Sequence, residues 1–343
     1  MQQLMLDGPG RLRWDEADEP ELAGPGAALA RPVAVATCDL DVGVLRGRFP
    51  LEGPYPLGHE GVVEVVRVGD AVTTVSPGDR AVVTFQISCG ECAPCRRGRT
   101  GNCATHPPLS TYGLGTMGGL EWGGLLADLV AVPHADAMLV PLPGGVDPLT
   151  VASASDNLPD AWRTVGPQLA VEPGAEVLVV GGDAGPSSIG LYAAGLARAL
   201  GAARVVYLDR HPDRLAIAEA LGAEVVDGPP PRKAGAFPIT VDASGSSDGL
   251  RCALNSTAFD GTCTSPSIYL DDPALPLFQM YSRGCTFHTG RAHARPAIPP
   301  ILELVAGGGF DPSLVTSAVV PRTEAVEALR QPPMKLVIDC TTS

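Results

Sequence analysis

The sequence lacks a basic excess and a long apolar run. It carries 24 Lys and Arg against 38 Asp and Glu, a net charge of −14, so no basic stripe is available to neutralise nucleic-acid phosphates. No stretch approaches the roughly 18 apolar residues that a membrane helix needs. Met1 to Asp7 lacks the basic stretch and apolar run of a secretory signal. These absences predict a cytoplasmic protein that binds neither nucleic acid nor membrane.

Aromatic residues are scarce as well, at 5% of the chain. Few of them, such as Phe85, Trp122 and Trp162, are available to line a pocket. The chain is instead rich in loop-forming residues, with 41 glycines and 34 prolines. Because 343 residues are too many for one ordinary hydrophobic core, we expect two domains.

Four cysteines lie close together in the first third of the chain. Their spacings of three, three and eight positions let four sulfurs converge without straining the backbone. A tetrahedral zinc ion requires that geometry, and a shell of four thiolates leaves no open position for a substrate. Two disulfides are the alternative, but they need an oxidising compartment. We therefore predict a structural zinc site formed by Cys89, Cys92, Cys95 and Cys103.

Short runs rich in β-branched residues predict strands up to about residue 150. Gly, Asp and Pro bound these runs, and Pro77-Gly-Asp79 has the composition of a tight turn. The pattern predicts a rolled antiparallel β domain whose loops carry the four cysteines. The predicted strands include Val62–Val68, Arg80–Phe85 and Leu125–Val132.

Beyond residue 150 the pattern changes to strands that alternate with helices. That alternation predicts a parallel sheet with helices on both faces. One later strand, Lys335–Asp339, is predicted to return to the first domain. The predicted elements are strands Ala175–Gly182, Arg204–Asp209, Glu224–Asp227, Ile239–Ala243 and Gly261–Ser265, and helices Ser188–Gly201 and Asp213–Gly222.

A glycine-rich turn after the first of these strands predicts a dinucleotide site. Glycines let the backbone approach a pyrophosphate, and a helix N-terminus supplies N–H donors. Asp209 ends the next strand, where a carboxylate accepts hydrogen bonds from ribose hydroxyls and favours NAD over NADP. Arg210 and Arg214 instead favour NADP, since either could receive a 2′-phosphate. The glycines fit Gly-x-Gly-x-x-Gly in no register. The predicted contacts are Gly181, Gly182, Gly185, Ser188, Ile189, Gly190, Asp209 and Arg214.

Three other residues offer a second set of metal ligands. Cys38, His59 and Asp156 would supply a thiolate, an imidazole and a carboxylate, leaving a fourth position open for a substrate oxygen. Because they are spread over about 120 residues, they are on their own better explained as a buried thiol, a surface histidine and a helix-capping aspartate. Asp41 is either a carboxylate behind a ligand or a surface loop acid.

Together these segments resemble the medium-chain dehydrogenase/reductase superfamily, and within it the zinc-dependent alcohol dehydrogenases. The cysteine lobe, Gly58-His59-Glu60 and the later nucleotide domain follow the family's order over nearly the whole chain. Ser155-Asp-Asn-Leu-Pro and Thr286-Phe-His-Thr-Gly-Arg291 resemble the formaldehyde-dehydrogenase-like and glucose/polyol-dehydrogenase-like branches, where an aspartate can replace the second cysteine ligand. The resemblance implies an α/β fold: a GroES-like catalytic domain at 1–150 with its zinc lobe at about 86–106, a Rossmann-type doubly wound domain at 151–295, and a return to the catalytic domain at 296–343.

The resemblance also implies an activity and its residues. Cys38, His59 and Asp156 would hold a catalytic zinc, and Glu60 would approach that metal during ligand exchange. Zinc acts as the Lewis acid in reversible hydride transfer between an alcohol or aldehyde and NAD. Homodimers or homotetramers are expected. The alternatives are an aldehyde dismutase or formaldehyde-dehydrogenase-like enzyme with tightly bound NAD, and a non-catalytic regulatory protein that binds zinc and nucleotide.

Three features depart from the family's pattern. Leu40 stands two residues after the cysteine ligand, where many relatives carry a Ser or Thr that begins a proton relay. The glycine loop is about two residues longer than usual, which leaves its pyrophosphate contacts undetermined. Finally, three consecutive prolines in Gly228–Pro238 exclude the helix that relatives have between strands.

Overall fold

The computed structural model describes residues 1–51, 53–182 and 184–342. The chain forms two compact units. The first unit contains Met1–Pro159, Ala292–Gly308 and the segment from Thr316 onward, and the second contains Asp160–Arg291 and Gly309–Val315. The described residues include no helix that is both long and apolar enough to cross a membrane.

The strands and helices, in chain order, are as follows. The strands are β1 (Gln2–Gly8), β2 (Arg11–Glu16), β3 (Ala28–Ala36), β4 (Tyr55–Pro56), β5 (Glu60–Val68), β6 (Arg80–Val83), β7 (Val130–Val132), β8 (Leu139–Pro141), β9 (Val177–Val180), β10 (Val205–Asp209), β11 (Glu224–Asp227), β12 (Phe237–Asp242), β13 (Thr257–Ser265), β14 (Thr286–Thr289), β15 (Ala318–Pro321) and β16 (Leu336–Asp339). The α-helices are α1 (Asp39–Leu45), α2 (Ala93–Arg96), α3 (Gly115–Gly118), α4 (Ala135–Met138), α5 (Asn157–Val171), α6 (Ser187–Ala199), α7 (Pro212–Ala220), α8 (Ser247–Ser256), α9 (Leu277–Arg283), α10 (Ala294–Ala306) and α11 (Ala325–Arg330).

The first unit is built on a large, mostly antiparallel sheet with the order β15-β16-β3-β5-β6-β8, and β7 also pairs with β3. β15 and β16 are parallel, whereas β16 is antiparallel to β3. A smaller sheet has the order β2-β1-β4. β3 is buried at every position except Arg31, so its apolar residues form part of the core of this unit. The expected GroES-like β domain is therefore confirmed.

The second unit contains a six-stranded sheet in which every pairing is parallel, with the order β11-β10-β9-β12-β13-β14. The order reverses between β9 and β12, which is the arrangement of a doubly wound dinucleotide-binding sheet. β9 is buried along its whole length, as expected for a strand covered on both faces. The predicted Rossmann-type fold is confirmed. No helix lies between β11 and β12 in this fully described stretch, as the prolines predicted.

One predicted strand is wrong in its extent. Within the predicted Leu125–Val132, only Val130–Val132 is a strand beside β3. The N–H groups of Leu125 and Leu126 instead donate to the carbonyls of Gly58 and Leu57. The chain bends at Leu125, Leu126 and Asp128 before the strand begins, and it changes hydrogen-bonding partners midway, which a one-dimensional pattern does not record.

We predict that Arg283→Ala lowers the free energy of unfolding by about 1–3 kcal/mol, because buried carbonyls would lose their donors. The Arg283 guanidinium donates to the carbonyls of Leu254 (3.1 Å) and Thr257 (2.8 Å) at the end of α8. Urea unfolding measures the change. Arg251→Ala is the matched control: its pair with Asp248 is exposed and its loss should cost no more than about 0.5 kcal/mol. Equal stability of the two variants would contradict the prediction.

Candidate metal and nucleotide sites

Strand pairing in the first unit brings distant residues to one point. Ala36, at the end of β3, lies opposite Glu60 at the start of β5 and opposite Val337 of β16. Cys38 follows β3 and His59 precedes β5, so this register places both beside the same end of the sheet. Two antiparallel pairings therefore set the positions of residues that are widely separated in sequence.

Local structure fixes the cysteine and the histidine. Cys38 is the N-cap of α1: its sulfur accepts from the N–H of Leu40 at 3.4 Å, while its own N–H donates to Asp41 at 3.0 Å. Before His59, Gly58 has a φ of 97°, and a Cβ there would lie 3.0 Å from the backbone nitrogen of Leu126. A side chain at position 58 would strain this turn and displace the imidazole.

A hydroxyl holds the aspartate segment in place. Ser155 accepts from the N–H of Gly61 (2.8 Å) and lies within hydrogen-bonding distance of the carbonyl of Val83 (2.6 Å). Ser155 thus ties the residues before α5 to β5 and β6, and Asp156 follows directly. Sequence reasoning did not assign Ser155 this role.

Cys38, His59 and Asp156 form a buried cluster whose ligand atoms all lie within 4.8 Å of one another. The Cys38 sulfur is 3.2 Å from Oδ2 of Asp156, and Nε2 of His59 is 3.4 Å from the same oxygen. Both ring nitrogens of His59 are buried without a hydrogen-bond partner. Unsatisfied buried nitrogens are costly, and a thiolate, an imidazole and a carboxylate are a suitable donor set for zinc. The residues fit a metal ion.

The negatively charged groups around the cluster favour the binding of a cation. Burial opposes protonation of His59, but Asp41, Asp156 and Glu60 more than offset it and raise its pKa to about 9. Burial, followed by the nearby carboxylates, raises the pKa of the Cys38 thiol well above its ordinary value. A divalent cation would reverse both tendencies, because metal binding favours thiolate and neutral imidazole.

Asp41 lies behind the cluster. It is buried rather than a surface loop acid, and its Oδ1 is 3.5 Å from Nδ1 of His59. The two groups form no hydrogen bond, but the carboxylate faces the ring nitrogen opposite the cluster. A carboxylate in this position can orient a metal-binding imidazole.

Lys335 and Asn157 form a network beside the cluster that sequence reasoning missed. The Lys335 ammonium, which is fully buried, donates to Glu60 (2.6 Å), to the carbonyl of Thr37 (2.6 Å) and to Oδ1 of Asn157 (2.7 Å). Burial raises the pKa of Glu60 to about 7 even though Lys335 opposes the shift. The available signal was that Lys335, one of only two lysines in the sequence, stands at the head of an apolar strand.

The four-cysteine cluster also has its sulfurs within 4.8 Å of one another. The Cys92 and Cys103 sulfurs are 3.9 Å apart, far beyond the roughly 2.05 Å of a disulfide. The N–H of Ala104 donates to Cys92 at 3.3 Å, and this and further hydrogen bonds lower the pKa of Cys92 to about 6. Burial raises the pKa of Cys95 to about 12, and a bound cation would favour its thiolate. This geometry fits a tetrahedral metal site.

In the second unit, the glycine loop joins β9 to α6, and Ser188 and Ile189 lie in the first turn of that helix. Asp183 in this loop lies outside the described residues. A Cβ at Gly181 would lie 2.3 Å from Oδ2 of Asp209, so a side chain there would displace this carboxylate.

Asp209 is already hydrogen-bonded on both oxygens. Arg214 donates to Oδ1 at 2.7 Å and to Oδ2 at 2.8 Å, and the hydroxyl of Tyr207 lies 3.2 Å from Oδ2. Burial raises the pKa of Asp209, but Arg214 and backbone donors outweigh it and hold that pKa below its usual value. Arg214 also donates to the carbonyl of Gly182. A ribose that uses this carboxylate must compete with the donors already bonded to it.

Comparison with known proteins places the chain in a family. The family model of the alcohol dehydrogenase GroES-like domain matches residues 24–144, and that of the zinc-binding dehydrogenase matches residues 188–307. A Mycobacterium tuberculosis protein named "Probable zinc-binding alcohol dehydrogenase" is 29% identical over 335 residues, covering 95% of this chain and 84% of that protein.

Two further similar proteins support the same family. A glutathione-independent formaldehyde dehydrogenase of Pseudomonas aeruginosa is 36% identical over 236 residues, which cover 64% of this chain but only 57% of that enzyme. The structure of the alcohol dehydrogenase TADH from Thermus sp. ATN1 superimposes with a TM-score of 0.87 at 29% identity and covers 99% of both chains. The chain thus belongs to the zinc-dependent alcohol dehydrogenases of the medium-chain dehydrogenase/reductase superfamily.

Proposed function

We propose that this protein is an NAD-dependent zinc alcohol dehydrogenase that interconverts a small or medium alcohol, or a sugar polyol, with its carbonyl product. The observation that carries the proposal is the convergence of Cys38, His59 and Asp156, with both nitrogens of His59 lacking a hydrogen-bond partner. Three protein ligands leave a fourth position for a substrate oxygen. The four-cysteine cluster is proposed to hold a second, structural zinc.

The chemistry divides between the bound groups and the chain. When bound, zinc supplies a Lewis acid and the nicotinamide supplies the hydride acceptor or donor. Cys38, His59 and Asp156 would hold the metal, and Asp41 would orient the imidazole of His59. Phe85, whose ring centroid lies 5.8 Å from that of His59, covers the ring with apolar surface. Leu40 carries no group that moves a proton, so the proton of the alcohol leaves through water or another group.

In the second unit we propose that the glycine loop and the first turn of α6 bind the pyrophosphate through backbone N–H groups. Asp209 would accept from the adenosine ribose in place of one of its present donors. A carboxylate at this position disfavours a 2′-phosphate, which supports NAD, whereas the released Arg214 is the group that would tolerate NADP.

A second candidate function is dismutation of a small aldehyde, or formaldehyde oxidation, with tightly held NAD. The 36% identity to a formaldehyde dehydrogenase supports it. Incubation of the purified protein with formaldehyde and no added nucleotide separates the two. Equal amounts of methanol and formate would favour dismutation, and no product without added NAD would favour the dehydrogenase.

Metal analysis tests the two proposed zinc sites. We expect about two zinc ions per chain, because each cluster supplies a ligand set for one ion. Cys38→Ser should remove one zinc and abolish alcohol oxidation while the fold survives. Cys92→Ser should remove the other zinc and lower the midpoint of thermal unfolding. Mass spectrometry of dialysed protein and an NAD-linked alcohol and aldehyde panel measure these effects.

Cys285→Ser is the matched control, because Cys285 belongs to neither cluster. It should keep both zinc ions and full activity. Retention of full activity by Cys38→Ser would refute the catalytic assignment. Unchanged zinc content and stability in Cys92→Ser would refute the structural zinc site.

Substitution of Arg214 tests the nucleotide assignment. Arg214→Ala removes one donor from each oxygen of Asp209 and removes the cation that could receive a 2′-phosphate. We expect NADH to bind at least as tightly as to the wild type, and any NADPH binding to weaken by about tenfold or more, as for loss of a charge-assisted contact. Fluorescence titration measures both. A wild type that binds NADPH more tightly than NADH would contradict the NAD proposal.

We further propose that the protein is a homo-oligomer that associates through the edge of the second unit's sheet. β14 is the edge strand there, and Phe278 and Tyr281 of α9 are 75% and 86% exposed. An open strand edge beside exposed aromatic residues is a typical site of association.

We therefore expect Phe278→Asp combined with Tyr281→Asp to yield monomers in light scattering, since two buried charges would oppose association. Val171→Asp, at a comparably exposed apolar residue of α5, is the control and should leave the wild-type assembly intact. A wild type that is monomeric at micromolar concentration would contradict the proposal.

A further inference from the structure

Asn157 connects the proposed metal cluster to the buried lysine. Its side chain is fully buried. On one side, Nδ2 donates to the Cys38 sulfur at 3.2 Å, and on the other, Oδ1 accepts from the Lys335 ammonium at 2.7 Å. A buried amide that is satisfied at both ends is held in one orientation.

The chemistry of Lys335 determines which end of the amide faces the sulfur. An ammonium only donates, so the amide must present its oxygen to Lys335. If the amide were flipped, its NH2 group would face the Lys335 ammonium at 2.7 Å, so that two donors would meet. Its oxygen would then face the Cys38 sulfur and could donate nothing to it. The N–H to sulfur contact is therefore a consequence of the lysine contact and does not depend on an arbitrary choice between oxygen and nitrogen.

The position of the Lys335 ammonium is fixed by other acceptors as well. It also donates to Glu60 and to the carbonyl of Thr37, at 2.6 Å each. The backbone N–H of Asn157 also donates to Oε1 of Glu60 at 2.9 Å. Asn157 is thus held by Glu60 through its backbone and by Lys335 through its side chain.

We propose that Asn157 is a positioning residue for the Cys38 thiolate, and that Lys335 sets the orientation of its amide. The N–H donor holds the sulfur in one rotamer and withdraws negative charge from it, which tunes the hold of the cluster on its metal. Partners behind metal ligands typically change metal affinity by about 10- to 100-fold when removed. The inference rests on the proposed function, because it requires a metal at Cys38.

The test compares metal binding in the wild type and in Asn157→Leu, which keeps the approximate volume and loses the donor. We expect the variant to lose zinc from the cluster at a chelator concentration at least about 10-fold lower than the wild type requires. Cobalt(II) substituted at the cluster, with the four-cysteine site kept in zinc, should show a shifted thiolate-to-metal charge-transfer band. A purely structural role for Asn157 would not shift that band.

Asn255→Leu is the control, since Asn255 is a buried asparagine of the second unit that donates to a backbone carbonyl. It should leave chelator competition and the cobalt band unchanged. If Asn157→Leu does not fold, as judged by circular dichroism, Asn157→Ala, which also lacks a donor, takes the same two measurements. An unchanged affinity and an unchanged band in the folded variant overturn this inference alone. A wild type with no metal at Cys38 overturns the proposed function and this inference with it.

Discussion

The arrangement of the first unit depends on one buried cation. Lys335 joins four parts of the chain: the residue after β3, the start of β5, the start of α5 and its own place before β16. An ammonium in the interior is tolerated only when it is paired and fully hydrogen-bonded. The three acceptors around it therefore have to be present together, and they lie beside the residues of the metal cluster. The acceptors that compensate the charge of Lys335 therefore also fix the geometry of the cluster.

This constraint explains why so many acids can be buried in one place. Asp41, Glu60 and Asp156 all lie within the interior, where like charges repel strongly. Lys335 offsets one of them, and the proposed zinc would offset the others. Such a site favours a divalent cation. The second unit also contains a buried acid paired with a cation, since Arg214 neutralises the buried Asp209.

How much could be predicted differs between the two units. In the second unit, the predicted ends of β9 to β12 lie within two residues of the observed ones, whereas β13 begins at Thr257, four residues before the predicted start. β9 and β10 are buried along their whole length, and parallel strands covered on both faces are continuous apolar runs. In the first unit a strand was predicted from Leu125, but the chain bends there. The network of Lys335 and Asn157 was missed, because a local pattern does not say whether a lysine beside a strand is buried.

The sequence alone determined the fold class, the spacing of the four cysteines and the placement of a glycine loop before an acid. Each of these depends on residues close together in the chain, so local periodicity and spacing are sufficient. Only the tertiary structure decided that Cys38, His59 and Asp156 meet, that Asp41 lies behind the imidazole, and that Asn157 turns its amide nitrogen to the sulfur. These depend on strand register and on hydrogen bonds between segments more than 100 residues apart, and such contacts leave no periodic trace in the sequence.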